Sequence, residues 1–240
     1  MTSGLDVRGI THRYGKKTAL NDIGFSLDQG TFCALLGPNG AGKSTLFSIL
    51  TRLFVPDAGE VMIAGHSLSR EPGKALARIG VVFQQPTLDL DLTVRRNLKY
   101  FAALHGLAGK DADRRIETSL EQVNMAERAG EKARALNGGH RRRMEIARAL
   151  LHDPVVLLLD EPTVGLDAET RNSITGHVHN LASEQGLTVL WATHLVDEVR
   201  ANDQLVVLHE GRIQADGSAA EIAGDTSLQA RFLEMTGGGE

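Results

Sequence analysis

Residues 37–44 read Gly37-Pro38-Asn39-Gly40-Ala41-Gly42-Lys43-Ser44, and this stretch decides the fold. It fits the phosphate-loop pattern of Gly, any four residues, Gly, Lys, and Ser or Thr. The apolar run Thr31–Leu36 leads into it and a helical pattern over Lys43–Leu53 leads out, which is the strand–loop–helix context that the pattern requires. A chance glycine-rich turn is the alternative, but average residue usage gives such a match in about one chain per hundred of this length. The stretch therefore predicts a nucleoside triphosphate site.

The chemistry of phosphate binding explains these residue types. Glycines let successive backbone N–H groups turn toward phosphate oxygens, and the N-terminus of the following helix adds its positive dipole end. We expect Lys43 to contact the β- and γ-phosphates and to act in catalysis, and the Ser44 hydroxyl to bind Mg²⁺. Thr45 is included among the nucleotide-binding residues.

Two acids follow the apolar run Val155–Leu159. Ligands of α/β sheets bind at the carboxyl ends of the strands, and successive side chains on a strand diverge, so Asp160 and Glu161 can do different work. We expect Asp160 to hold Mg²⁺ through its water shell and Glu161 to act as general base on the attacking water. The alternative is an acid pair that caps the next helix.

Outward from these motifs, strands and helices alternate, which predicts an α/β fold with a P-loop core and a largely parallel sheet. Alternating patterns at Leu5–Ile10, Ala19–Leu27 and Val61–Ala64 predict an early antiparallel β subdomain. Residues 88–151 hold about three helical patterns and no convincing strand, so we expect an inserted α-helical subdomain. The expectation is one domain over 1–240, with the α/β core at about 1–87 and 152–225. Further runs predict the buried strands Gly80–Phe83, Val155–Leu159, Thr188–Ala192 and Leu205–Leu208, and the helices Thr93–Leu107, Ala112–Met125, His140–Leu151 and Ala168–Glu184.

Composition narrows the class of protein. The chain has 240 residues, of which 42% are hydrophobic and 23% charged, and a formal net charge of −4. This balance argues against nucleic-acid binding, and we expect the run Arg141-Arg142-Arg143 to be a solvated helix face rather than a basic stripe. Cys33 is the single cysteine, so no intrachain disulfide can form. No apolar stretch approaches the roughly 18–20 residues of a membrane span, and the N-terminus lacks the pattern of a signal peptide.

A second glycine pair opens a helix just before the acidic strand. The segment Leu136-Asn137-Gly138-Gly139-His140, followed by the helical run Arg141–Leu150, resembles the signature of the ABC (ATP-binding cassette) family. The resemblance covers the chain from about Leu5 to Gly217. It implies that Asn137, Gly138 and Gly139 complete the nucleotide pocket of a second copy, so that two chains sandwich two ATP molecules, each with Mg²⁺.

Four further residues match motifs of that family in the family's order. The resemblance implies that Gln84 contacts Mg²⁺ or the attacking water, that His194 bonds the γ-phosphate, that Asp167 lies in a loop crossing the dimer interface at the nucleotide, and that Tyr14 stacks on adenine. From the residues alone, Gln84 could be an ordinary strand-end residue, His194 structural, and Tyr14 part of the core.

The chain departs from the family pattern at Asn137, where serine is usual, at His140, where glutamine is usual, and at Gly165, where Ser or Ala is common. Lys43, Glu161 and His194 remain, so an active ATPase is expected.

More narrowly, the chain resembles ATP-binding subunits of ABC-2-type exporters, with Phe83–Val94 and Leu136–Arg143 similar to a subgroup associated with pyrroloquinoline-quinone-dependent alcohol oxidation. This implies a homodimer on the cytoplasmic face of the inner membrane with a separate transmembrane permease, whose coupling helix would enter a groove at Gln85 to about Leu107. The alternative is a soluble ABC ATPase serving a scaffold such as that of iron–sulfur cluster assembly. The interval from Ser44 to Leu136 is too short for the coiled coil of the DNA-repair class, and translation-factor ABC proteins carry two such cassettes.

Overall fold

Two β-sheets and the helices around them form the fold of residues 3–237, which the computed structural model describes. In chain order the strands and helices are β1 (Ser3–Tyr14), β2 (Lys17–Asp28), β3 (Phe32–Leu36), α1 (Lys43–Leu50), β4 (Ala58–Ile63), β5 (His66–Ser67), α2 (Pro72–Leu76), β6 (Ile79–Val82), α3 (Val94–Leu104), α4 (Gly109–Gln122), α5 (Gly138–Leu150), β7 (Val156–Asp160), α6 (Ala168–Gln185), β8 (Thr188–Thr193), β9 (Gln204–His209), β10 (Arg212–Ser218), α7 (Ala219–Ala223) and α8 (Leu228–Met235). Short 3₁₀ turns lie at Ala126–Arg128, Ala133–Ala135 and Val196–Glu198.

The larger sheet has the strand order β10-β9-β3-β8-β7-β6. Five of its strands pair in parallel, and β10 joins β9 as an antiparallel edge. Every residue of β3, β7 and β8 is buried, as expected of strands covered on both faces. The predicted α/β fold with a largely parallel sheet is confirmed.

The smaller sheet is antiparallel, in the order β2-β1-β4-β5. Along β2 the buried residues Ile23, Phe25 and Leu27 alternate with exposed ones, which is the pattern of a strand with one face on the core. The predicted antiparallel β subdomain is confirmed.

Helices α3, α4 and α5 occupy the interval between β6 and β7. They bury apolar faces against one another and against the large sheet, through residues such as Val94, Leu98, Ile116, Leu120 and Ile146. This is where the sequence predicts helices, and their assignment to an inserted subdomain stays a prediction.

The sequence missed several short or peripheral elements. Strand β10 alternates exposed with half-buried residues at the edge of the sheet, so it lacks the apolar run of its neighbours. The short helices α2, α7 and α8 were missed as well. Helix α1 ends at Leu50 rather than Leu53, because Arg52 adopts a left-handed backbone conformation (φ 57°) that stops the helix.

Candidate nucleotide-binding and hydrolysis site

The phosphate loop follows β3 directly and ends at the first turn of α1. Gly40 and Gly42 have φ values of 82° and 115°, which residues with a side chain rarely adopt, and they curl the loop over the helix N-terminus. Lys43 is the first residue of α1 and is only 5% exposed. Its ammonium group donates to the carbonyl oxygens of Gly37 at 2.6 Å and Pro38 at 3.2 Å, so it lies within the loop.

Asp160 is the last residue of strand β7, and Glu161 follows it directly. Glu161 has a left-handed backbone conformation (φ 45°), which is uncommon for a residue with a side chain. Glu161 Oε1 lies 3.3 Å from Lys43 Nζ, and both side chains are largely buried. Because α6 begins only at Ala168 and is capped by Asp167, the alternative that Asp160 and Glu161 cap the next helix is wrong.

Gln84 and His194 approach the Glu161 carboxylate from the strands on either side of β7. Gln84 Nε2 donates to Glu161 Oε2 at 3.2 Å, and His194 Nδ1 lies 3.4 Å from Glu161 Oε1. The order β3-β8-β7-β6 explains the convergence, because the phosphate loop, His194, Glu161 and Gln84 each follow one of four adjacent strands. Parallel strands present their carboxyl ends at one edge of a sheet, so four distant segments meet at Glu161.

A cleft of about 760 Å³ opens above these residues. Its size falls within the range of small-molecule sites. Residues of the phosphate loop from Pro38 to Thr45 line it, together with Gln84, Glu161 and Tyr14. Tyr14 is 48% exposed, so the alternative that it packs in the core is wrong. Its hydroxyl lies 3.4 Å from Thr45 Oγ1, and its ring packs edge-on against Phe54.

The donor set fits a hydrated Mg²⁺ beside the phosphate loop. Asp160 Oδ1 is buried without a hydrogen-bond partner, and Ser44 and Gln84 line the adjoining cleft. Burial and the neighbouring Glu161 raise the pKa of Asp160, and Lys43 offsets part of this effect. Within residues 3–237 no three His, Cys, Asp or Glu side chains cluster as a dedicated metal cage. Mg²⁺ needs only one or two protein ligands, because phosphate oxygens and water complete its shell.

The signature residues and Asp167 lie outside the cleft of their own chain. Asn137 caps α5 by accepting from the backbone N–H of His140 at 2.8 Å, and Gly138 and Gly139 form the first turn of that helix. Asp167 caps α6 through two bonds with Thr170, and these bonds lower the pKa of Asp167. A single chain therefore brings Lys43, Gln84, Glu161 and His194 together but leaves these four residues apart from them.

Sequence reasoning missed part of the cleft wall and a buried carboxylate behind it. Lys17–Ala19 and His209–Gly211 line the cleft, and they carry no motif that could reveal them. Glu198, which is 4% exposed, accepts from Trp191 Nε1 at 3.0 Å and from the hydroxyl of Thr163. It thereby connects the segment after Glu161 to strand β8, which His194 follows.

A phosphate loop, a carboxylate and a histidine at the carboxyl ends of adjacent parallel strands are the arrangement of a P-loop ATPase. Residues 20–164 match the sequence profile of the ABC transporter family. The linearmycin resistance ATP-binding protein LnrL of Bacillus subtilis (strain 168) is 38% identical over 230 residues, which are 94% of this chain and 74% of the relative. The Nod factor export ATP-binding protein I of Ralstonia nicotianae is 39% identical over 219 residues, 91% of this chain and 68% of the relative.

Solved structures agree with this assignment. One described as the ATP-binding subunit of an ABC transporter superposes with a TM-score of 0.82 at 27% identity, covering 96% of this chain and 98% of the other. A dimeric ATP-binding cassette in a post-hydrolysis state, bound to ADP and Pi, superposes with a TM-score of 0.78 at 29% identity, covering 89% and 98%. This chain belongs to the ABC transporter family and is an ATP-binding subunit with the fold of an ATP hydrolase. None of the helices in residues 3–237 combines the length and the apolar character that a membrane span requires.

Proposed function

We propose that the chain is the ATP-hydrolysing motor of an ABC membrane exporter, whose transmembrane part is a separate permease. The observation that carries the chemistry is the convergence of Lys43, Gln84 and His194 on Glu161. The exporter assignment is supported by relatives named for Nod factor export and linearmycin resistance. In this role the chain is a peripheral protein on the cytoplasmic face of the inner membrane. Association with quinone-dependent alcohol oxidation stays a prediction.

Hydrolysis needs a polarised water and stabilisation of the charge that develops on the γ-phosphate. Glu161 accepts a proton from the attacking water, and Gln84, which bonds its other oxygen, orients that carboxylate. Lys43 contacts the β- and γ-phosphates from within the loop, and His194 donates a hydrogen bond to the γ-phosphate. Ser44, Asp160 and Gln84 would hold Mg²⁺, which would supply neutralisation of phosphate charge.

Two copies complete the site. The N-terminus of α5, with Asn137, Gly138 and Gly139, faces the ATP on the phosphate loop of the other chain, and Asp167 lies in the loop between the two sites. The exposed N–H groups and dipole of a helix N-terminus suit a γ-phosphate. In this assembly one ABC ATPase domain spans 1–240, with its core at about 1–87 and 152–225 and a helical subdomain at about 88–151. ATP binds the closed dimer better than the open one, and this difference moves the permease.

Copurification tests the transporter assignment. Tagged Glu161→Gln protein, slow to hydrolyse ATP, is purified from its native cells in mild detergent with ATP. We expect a polytopic membrane protein to come with it and to be lost without ATP. The control is the Lys43→Ala/Glu161→Gln variant, which should not hold ATP. Recovery of a soluble scaffold without a membrane protein would contradict the exporter and favour the scaffold ATPase.

A further inference from the structure

The arginine run 141–143 on α5 is not the solvated face that the sequence predicts, and the proposed chemistry does not use it. Arg142 is only 7% exposed, and all three guanidinium groups bond to other parts of the chain. Arg141 donates to the backbone oxygens of Ala133 and Arg134, and Arg143 to the hydroxyl of Ser173. The run therefore attaches α5 to the segments around it.

Arg142 is bonded to the segment that carries Gln84. Its guanidinium donates to the backbone oxygen of Phe83 at 2.8 Å and to that of Gln84 at 3.1 Å. One turn further along the same helix face, Glu145 accepts from Arg142 at 2.8 Å and from the backbone N–H of Thr87 at 3.0 Å. Both carboxylate oxygens of Glu145 are thus used, and the pair bonds to the segment at both of its ends.

Arg148 lies three residues after Glu145, on the same face of α5. It donates to the Thr87 hydroxyl and to the backbone oxygen of Val81 at 3.3 Å, and its guanidinium lies 4.7 Å from the centre of the Phe101 ring. The helix that begins at Asn137 therefore holds residues 81–87 through three buried charged side chains. We call Arg142, Glu145 and Arg148 the α5 clamp.

Burying a cluster of charged side chains beside a helix costs free energy, because the charges lose their contact with water. Burial raises the pKa of Glu145 and lowers the pKa of Arg142 and Arg148, so the protein environment opposes each charge. Apolar residues of similar volume often give equal or greater stability at such positions. Apolar residues cannot, however, donate hydrogen bonds to the backbone oxygens of Phe83 and Gln84.

We propose that Arg142 and Glu145 are positioning residues that couple the N-terminus of α5 to Gln84. Because that N-terminus faces the ATP of the partner chain in the proposed dimer, a shift of α5 on closure moves the Gln84 backbone with it. Gln84 Nε2 bonds Glu161 at 3.2 Å, so closure on one ATP organises the general base beside the other. The inference rests on the proposed function, since it needs the two-chain site.

The test uses an apolar replacement that removes the Arg142–Glu145 ion pair as a unit and leaves Arg148 its bonds to Thr87 and Val81. In the Arg142→Met/Glu145→Leu variant we expect the melting temperature to stay near that of the unchanged chain, and kcat to fall about 10–100-fold. The affinity for ATP of the isolated chain should change less than about threefold, since the phosphate loop is untouched. The control Arg143→Met removes a guanidinium from the same run and should keep kcat within about twofold.

A second variant covers the case in which the double replacement does not fold. Arg142→Lys keeps the charge but lacks the planar guanidinium fork that spans two carbonyl groups and a carboxylate. We therefore expect an intermediate kcat and a lower Hill coefficient for ATP. A folded double variant with unchanged kcat, or Arg142→Lys with unchanged kcat and Hill coefficient, would overturn the coupling. The unchanged chain is assayed in parallel for turnover and ATP-dependent dimerisation, and their absence there would contradict the proposed function instead.

Discussion

At the scale of single residues, Glu161 is the side chain on which the site depends. Lys43 and His194 approach one of its oxygens and Gln84 bonds the other. We expect Glu161→Gln to lower the rate of ATP turnover about 10²–10⁴-fold, the usual contribution of a positioned base. Nucleotide affinity should survive, because Lys43 keeps its bonds to the carbonyl oxygens of Gly37 and Pro38 within the phosphate loop. Steady-state kinetics and equilibrium binding measure the two effects, and near-normal turnover would show that another group activates the water.

The half-buried His152 gives the stability of the protein a predictable pH dependence. Burial, with a smaller contribution from the stacked His105, lowers the pKa of His152 from 6.5 to about 4. His152 Nε2 lies 2.9 Å from the Ile79 carbonyl oxygen, and the buried Nδ1 has no partner, so a second proton would lack an acceptor. The unfolded chain therefore takes up this proton first as the pH falls.

The contribution of His152 is fully present above about pH 6.5 and is lost as the pH falls toward 4. We expect the free energy of unfolding to drop by about 1–3 kcal/mol more over this range in the unchanged chain than in His152→Gln. Urea titrations at a series of pH values give both curves. Parallel curves would mean that His152 titrates normally in the folded protein.

The sequence predicted the residues that have a motif and missed those that act through packing. The phosphate loop, Asp160 and Glu161 could be found because phosphate and Mg²⁺ chemistry restrict both residue type and spacing. Arg142 and Glu145 look like an ordinary charged stretch, since only the fold places residues 83–87 against that face of α5. Glu198 is hidden for the same reason, because its donor Thr163 lies 35 residues away.

At the scale of elements, the order of the strands in the larger sheet brings the site residues together, and no sequence motif encodes that order. The buried runs identify the strands, and their apolar character on both faces indicates a parallel sheet. The order β3-β8-β7-β6 follows from tertiary packing, and it brings His194 and Gln84 to opposite sides of Glu161. Edge strand β10 was missed because one of its faces has no core to cover.

A substitution at the contact between β6 and α5 would test this packing directly. A Cβ atom on Gly80 would lie 2.3 Å from the Ala149 carbonyl oxygen, so Gly80→Ala must move the helix away from the strand. We expect a loss of about 1–3 kcal/mol in the free energy of unfolding. Gly73→Ala is the matched control, since no atom lies within 4 Å of the added carbon. Equal stability of the two variants in urea titrations would show that α5 tolerates displacement.

At the scale of the whole molecule, the proposed dimer requires a single chain to hold two halves of different sites. The cleft has a phosphate loop and the Glu161 carboxylate, whereas the N-terminus of α5 at Asn137 lies elsewhere on the same chain. A solved relative is a dimer in a post-hydrolysis state with ADP and Pi. If the halves meet only across a dimer, two inactive variants with different defects should repair each other.

The pair Lys43→Ala and Asn137→Asp makes this test. Lys43→Ala disables the phosphate loop, and Asn137→Asp keeps the cap of α5 but places a negative charge where the partner's γ-phosphate would lie. A mixed dimer contains one site with both defects and one with neither. Random mixing should therefore restore about a quarter of the sites, and ATP turnover should rise well above that of either variant alone. If mixed dimers form, as native mass spectrometry can verify, and turnover does not rise, then Asn137 does not act across the interface, because every site built within one chain carries one of the two defects in any mixture.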